Sequence, residues 1–323
     1  GENADDNSGY SVSLSSDGSV LAIGATNNNG NGSKSGHVRI YENSNGSWTQ
    51  IGNDIDGEAS EDYSGWSVSL SDDGSVVAIG AHRNDGTGSN AGHVRIFENS
   101  NGSWTQIGSD IDGEAADDHS GNAVSLSGDG SVVAIGAYDN DGNGSASGHV
   151  RIYENSNGSW TQIGSDIDGE ASEDYFGSSV SLSNDGSVVA IGAIYNEGVN
   201  GAQSGHVRIY ENNNGTWTKI GSDIDGEAAN DQSGHSISLS GDGSTIAIGA
   251  TRNDGNGSNS GHVRIYENNN GTWTQIGSDI DGEAADDASG NSVSISYDGS
   301  TVAIGAYDND GNGSSSGPVS YTH

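Results

Sequence analysis

The chain has 323 residues with 46 acidic against nine basic side chains, and its net charge of −37 excludes nucleic acid and anionic membrane surfaces as partners. It has no cysteine, and no apolar run is long enough to span a bilayer. A hydrophobic content of only 30% with 54 glycines has the average of a disordered chain, but the apolar residues recur at fixed positions, and that periodicity outranks the average.

The Trp of WTQIG or WTKIG stands at Trp48, Trp104, Trp160, Trp217 and Trp273, and a Gly-Glu pair at Gly1, Gly57, Gly113, Gly169, Gly226 and Gly282. The period is 56 residues, once 57. The extra residue falls between Ile194 and Gln203, which marks that stretch as a loop. The repeats are 1–56, 57–112, 113–168, 169–225, 226–281 and 282–317, read as a single repeat domain over 1–317.

The second copy, taken in order, shows the unit. Trp66 to Ser71 alternates Val68 and Leu70 with serines, the period of a strand. Asp73-Gly74 then signals a tight turn. Ser75 to Ala81 is a continuous apolar run ending in small residues, as for a strand covered on both faces. A Gly/Asn/Asp loop (His82 to Ala91) leads to Gly92–Glu98, which alternates Val94 and Ile96 with His93, Arg95 and Phe97. Asn101-Gly102 favours a type I′ turn into SWTQIG.

Four strands with no helical period make one antiparallel sheet, too small to bury both faces alone. Radial stacking covers each sheet with its neighbours. The expected fold is all-β: a β-propeller of four-stranded antiparallel blades, five complete and half of a sixth.

The unit resembles the FG-GAP repeat of integrin α-subunit propellers. The matching residues are Phe176-Gly177 before the first strand, Gly192-Ala193 closing the second, and Gly-His-Val-Arg-Ile-Tyr as the third. Ser replaces the Phe in the other copies (Ser8, Ser64, Ser120, Ser233, Ser289). The resemblance implies a binding platform, secreted or at the cell surface, with a protein or glycan ligand. Integrin-like blades carry calcium between their first two strands, but here that loop is only a turn such as Ser71–Ser75, so that site does not carry over.

The acidic segment between blades is the candidate metal site. It carries Asp54, Asp56, Glu58 and Asp62 in one copy and Asp110, Asp112, Glu114 and Asp118 in the next. Asp166, Asp168, Glu170 and Asp174 follow, then Asp223, Asp225, Glu227 and Asp231, then Asp279, Asp281, Glu283 and Asp287. Alternating carboxylates on a turned loop suit calcium, the candidate cofactor, although Ala115 stands where a calcium loop turns on Gly. The alternative is an exposed turn whose Asp side chains cap backbone amides. Asp139, Asp141 and Asn143, with Asp308, Asp310 and Asn312, read as turn chemistry.

Each of Arg39, Arg95, Arg151, Arg208 and Arg264 follows a His by two residues, and is expected to pair with a carboxylate or stack on a ring. The strand-four Trp is expected to pack rather than to hold a sugar. A multivalent glycan binder and a passive spacer remain alternative functions. The departures from the repeat, among them Trp66, His82, Arg83, His119 and His235, form no acid–base pattern, so the chain is expected not to be an enzyme. Gly1 already opens a repeat, so the chain is expected to be part of a longer one. Pro318 to His323 leaves the repeat and is expected to be a non-native tail.

Overall fold

The computed structural model describes residues 3–309; Gly1, Asp310, Asn312 and the expected tail Pro318–His323 lie outside them. Among the described residues there is no helix. The chain divides into two compact units, one running to Asp141 and including His149–Asp166, the other Gly142–Gly148 with the residues from Ile167 on.

The second blade shows how the repeat folds. Ser67–Leu70, Val76–Ala81, His93–Ser100 and Ser103–Gln106 form an antiparallel meander, with Ala78 opposite Ile96 and Phe97 opposite Gln106. The Asp-Gly turn forms as expected: Asp73 Oδ1 accepts from Ser71 Oγ (2.8 Å), the Ser75 amide (2.9 Å) and Ser75 Oγ (2.6 Å). All three bonds fall on Oδ1. Asn101 takes the left-handed conformation (φ 52°) that a type I′ turn requires.

Two features differ from the sequence reading. Part of the acidic segment is itself a strand: Ile111–Asp112 pairs with the far end of His93–Ser100, and Ile55–Asp56, Ile224–Asp225 and Ile280–Asp281 repeat this in their blades. The buried Ile anchors it, with Ile111 only 6% exposed. In addition, the third strand is buried on both faces from His93 to Phe97, so the alternation of its sequence does not mark one solvent face.

Blades pack face to face through these strands. Val76, Ala78, Val94 and Ile96 of the second blade close on Leu126, Val133 and Ile135 of the third. Each fully buried aliphatic side chain contributes about 1.5–3 kcal/mol. The spacing is set by glycine: a Cβ on Gly80 would stand 2.0 Å from the Gly121 carbonyl oxygen. Ser67 Oγ donates to that same oxygen at 2.8 Å. At the rim, Trp104 packs on the preceding cluster and donates Nε1–H to the Ile51 carbonyl at 3.0 Å, the structural role expected of it. On the first strand of the first blade, Val12 and Leu14 are 61% and 56% exposed.

Candidate metal centre

The acids of the inter-blade segment have separate surroundings. Asp62 is a buried cap, its Oδ2 accepting from the Ala59 amide (2.8 Å) and Asn84 Nδ2 (3.2 Å). Asp118, Asp174, Asp231 and Asp287 make the same two bonds in their copies. Asp56, Asp112, Asp168, Asp225 and Asp281 close the two-residue strands. The carbonyls of Asp56, Asp112 and Asp225 accept from Arg95, Arg151 and Arg264 Nη2.

The first and third acids converge, but from successive segments. Glu58 meets Asp110 around His93, whose Nδ1 lies 4.0 Å from Glu58 Oε2 and 3.9 Å from Asp110 Oδ2. The repeat generates the same triplet as Glu114–His149–Asp166, Glu170–His206–Asp223 and Glu227–His262–Asp279, each with one ligand atom per residue within 4.8 Å of the others. Asp54 instead takes a two-pronged bond from Arg39 (3.0 and 2.8 Å), which holds its carboxyl below the usual range. Glu283 begins the sixth repeat, whose residues from Asp310 on lie outside the described ones.

These histidines were not singled out as ligands by sequence reasoning, although their recurrence two residues before Arg was the available signal. All four are buried. Desolvation, with the neighbouring Arg, holds His93, His149 and His206 down to about 4 and also lowers His262, so each imidazole is neutral near pH 7. Nε2 of His93 and His206 has no hydrogen-bond partner, and neither has either nitrogen of His262. A neutral imidazole between two carboxylates is a donor set for a divalent transition metal. Calcium prefers oxygen throughout.

The arginines behave as expected, and they distinguish the triplets. Arg95 and Arg264 stack on Phe97 and Tyr266 at 5.4 and 5.5 Å, and their Nη1 atoms stay 3.7 Å from Glu58 and Glu227. Arg151 does likewise with Tyr153 and Glu114. In the fourth blade Arg208 bonds both Glu170 and Asp223, and Lys219 adds a contact to Asp223 at 2.7 Å where the other copies have Gln. Burial opposes ionisation of Asp223, but Arg208 and Lys219 outweigh it and hold the carboxyl well below its usual range. Among the described residues, three triplets therefore keep their Arg at 3.7 Å from the Glu and bonded elsewhere, and the fourth is filled by the protein's own cations.

The FG-GAP repeat model matches residues 55–97, 110–153, 166–210 and 223–266, more than half of the chain. The chain belongs to the FG-GAP repeat family. Among curated protein sequences, none matches it. Solved structures similar to this FG-GAP chain include a putative 6-phosphogluconolactonase from Bacteroides uniformis (TM-score 0.63, 14% identity, 94% of this chain and 79% of that one). Another is Kuenenia stuttgartiensis hydrazine synthase (0.62, 13%, 95% and 76%), and a third the periplasmic gluconolactonase of Pseudomonas aeruginosa (0.61, 15%, 96% and 84%). Likeness at this identity establishes the propeller fold. It also corrects one expectation: two of these structures are lactonases, so the architecture houses enzymes and the exclusion of enzyme activity does not stand. That exclusion looked for an acid–base pattern along the chain, whereas the fold gathers residues from separate blades.

Proposed function

We propose that this FG-GAP chain is a secreted or cell-surface binding platform whose repeated Glu–His–Asp triplets hold divalent transition-metal ions, zinc being the representative case. The observation that carries this is His262: buried, neutral, with both ring nitrogens unpartnered and Nδ1 3.9 Å from Glu227 Oε2. Leaving such a group unsatisfied costs about 1–3 kcal/mol, which a bound metal would offset. Tetrahedral zinc would bring its ligand atoms to about 3.4 Å apart, and half-exposed Glu227 and Glu58 can close the remaining distance. Two carboxylates against one guanidinium leave a net negative charge at each open triplet, within a chain whose overall charge attracts cations.

Titration calorimetry on the full chain tests this with zinc and calcium chlorides at pH 7.5. Saturable zinc binding that weakens in His262→Ala and that excess calcium does not displace is the expected result. Absence of saturable zinc binding, or displacement of zinc by equimolar calcium, would overturn the reading.

A further inference from the structure

The repeat is nearly invariant at many exposed positions. Glu42, Glu98, Glu154, Glu211 and Glu267 are the same residue on an exposed part of the third strand, and each Asn-Gly turn beyond is kept. Exposure alone has therefore not let the copies diverge. Six positions carry four or more different residues, and the fold brings five of them together.

The first carries Asn7, Tyr63, His119, Tyr175, Gln232 and Ala288, and the second Tyr10, Trp66, Asn122, Ser178, His235 and Asn291. The next two lie side by side after the second strand, as in His82-Arg83 and Tyr138-Asp139. The fifth is Lys34, Asn90, Ala146, Gln203 and Asn259 in the loop before the third strand. A constant main chain joins them: the Tyr63 amide donates to the Lys34 carbonyl and the Trp66 amide to the Tyr63 carbonyl, both at 3.1 Å. The same two bonds hold His119 to Asn90 and Asn122 to His119. The sixth position, which ends in the exposed Tyr297, lies at the opposite end of the first strand.

The first and fifth positions are left-handed in every described copy, with φ between 50° and 57°, whether the residue is Tyr, His, Gln, Lys or Ala. Bulky residues at such φ cost about 1–2 kcal/mol each relative to glycine. The main-chain bonds between copies hold this conformation whatever the side chain, so the residue is free to differ without loss of the fold.

In the first unit the diverged side chains form a ladder of rings. Tyr10 and Trp66 have centroids 4.5 Å apart, Trp66 and His82 4.0 Å, His82 and His119 5.6 Å, and His119 stacks on Tyr138 at 5.5 Å. Polar groups edge it: Asn122 Oδ1 accepts from Trp66 Nε1 at 3.0 Å, Asp139 lies 2.8 Å from His119 Nδ1, and Arg83 sits over Tyr63. We infer that this diverged patch is a recognition site for a neutral oligosaccharide, distinct from the metal triplets. Tyr10, half exposed, and the part-exposed Trp66 and Tyr138 offer ring edges and faces to the C–H surface of a sugar while buried His82 packs beneath them, and the surrounding His119, Asn122, Asp139 and Arg83 match its hydroxyls. The acidic surface disfavours an anionic ligand.

The test is an array of neutral β-glucans, mannans and galactans probed with the full chain in chelator, followed by affinity measurement on the best binder. Tyr10→Ser and Trp66→Ser should each weaken binding by about tenfold or more, as expected for loss of a stacking ring. Tyr297→Ser, at the diverged position outside the patch, should leave it within about twofold. Tyr10 is half exposed, so its variant keeps the test valid even if Trp66→Ser unfolds. Failure to bind any neutral glycan, capture of protein ligands only, or full affinity in Tyr10→Ser would overturn the assignment. Because chelator is present throughout, the outcome is independent of the metal reading.

Discussion

Replacing Gly80 by alanine strikes the contact that sets the distance between blades. The new Cβ would stand 2.0 Å from the Gly121 carbonyl oxygen and 2.4 Å from Ser67 Oγ. The hydroxyl can rotate away, but doing so breaks its bond to the same carbonyl. The carbonyl belongs to the next blade, so the sheets must part by about 1 Å to reach tolerable contact. Overpacking of this kind costs about 1–3 kcal/mol and the lost hydrogen bond about 1 kcal/mol. Alanine's lower backbone entropy in the unfolded chain returns about 0.5–1 kcal/mol. A net loss of about 1–3.5 kcal/mol follows, read as a lower urea midpoint. Gly305 holds the same place in the sixth blade, where the three nearest atoms to an added Cβ all belong to Ser292 of its own blade, Oγ at 2.4 Å among them. Gly305→Ala should therefore leave the midpoint nearly unchanged. Equal losses in the two variants would refute close glycine packing as what spaces the blades.

Lys219→Gln restores the residue found in the other copies but leaves Arg208 bonded to Glu170 and Asp223, as Arg39 stays bonded to Asp54 beside Gln50, so calorimetry should show no added zinc equivalent. Leu126→Ala, at a buried inter-blade contact, should cost about 2–5 kcal/mol in urea unfolding, while Leu14→Ala, at the exposed equivalent position of the first blade, should cost well under half as much. His82 is buried, and desolvation, His119 and Arg83 hold it down to about 3. Its contribution is fully present above its unfolded value of about 6.5 and is lost as the pH falls toward 3, up to about 5 kcal/mol. Equilibrium unfolding between pH 7 and 4 should therefore show a shallower loss in His82→Tyr, which carries the residue of the third copy.

Much of the fold was legible because the repeat writes each strand and turn several times over. Asp73-Gly74, Asn101-Gly102 and the run Val76–Ala81 all fold as their patterns dictate. The two-residue strand at Ile111–Asp112 was not legible, since its acidic neighbours read as loop and only the burial of Ile111 reveals it. The candidate site was half legible. Glu58 and Asp110 stood out as repeated acids, but nothing along the chain says that they meet each other rather than their own neighbours. His93 joins them only because the third strand of one blade lies between two inter-blade segments. The diverged residues were visible as departures, yet their convergence depends on bonds such as Tyr63 to Lys34, which link adjacent copies.

Native mass spectrometry of the full chain in dilute zinc acetate tests the central claim most directly, because it counts ions per chain. Three bound zinc ions are expected, falling to two in His93→Ala and staying at three in His206→Ala, whose triplet Arg208 and Lys219 already fill. No retained zinc, or a count that His93→Ala leaves unchanged, would contradict the Glu–His–Asp centres.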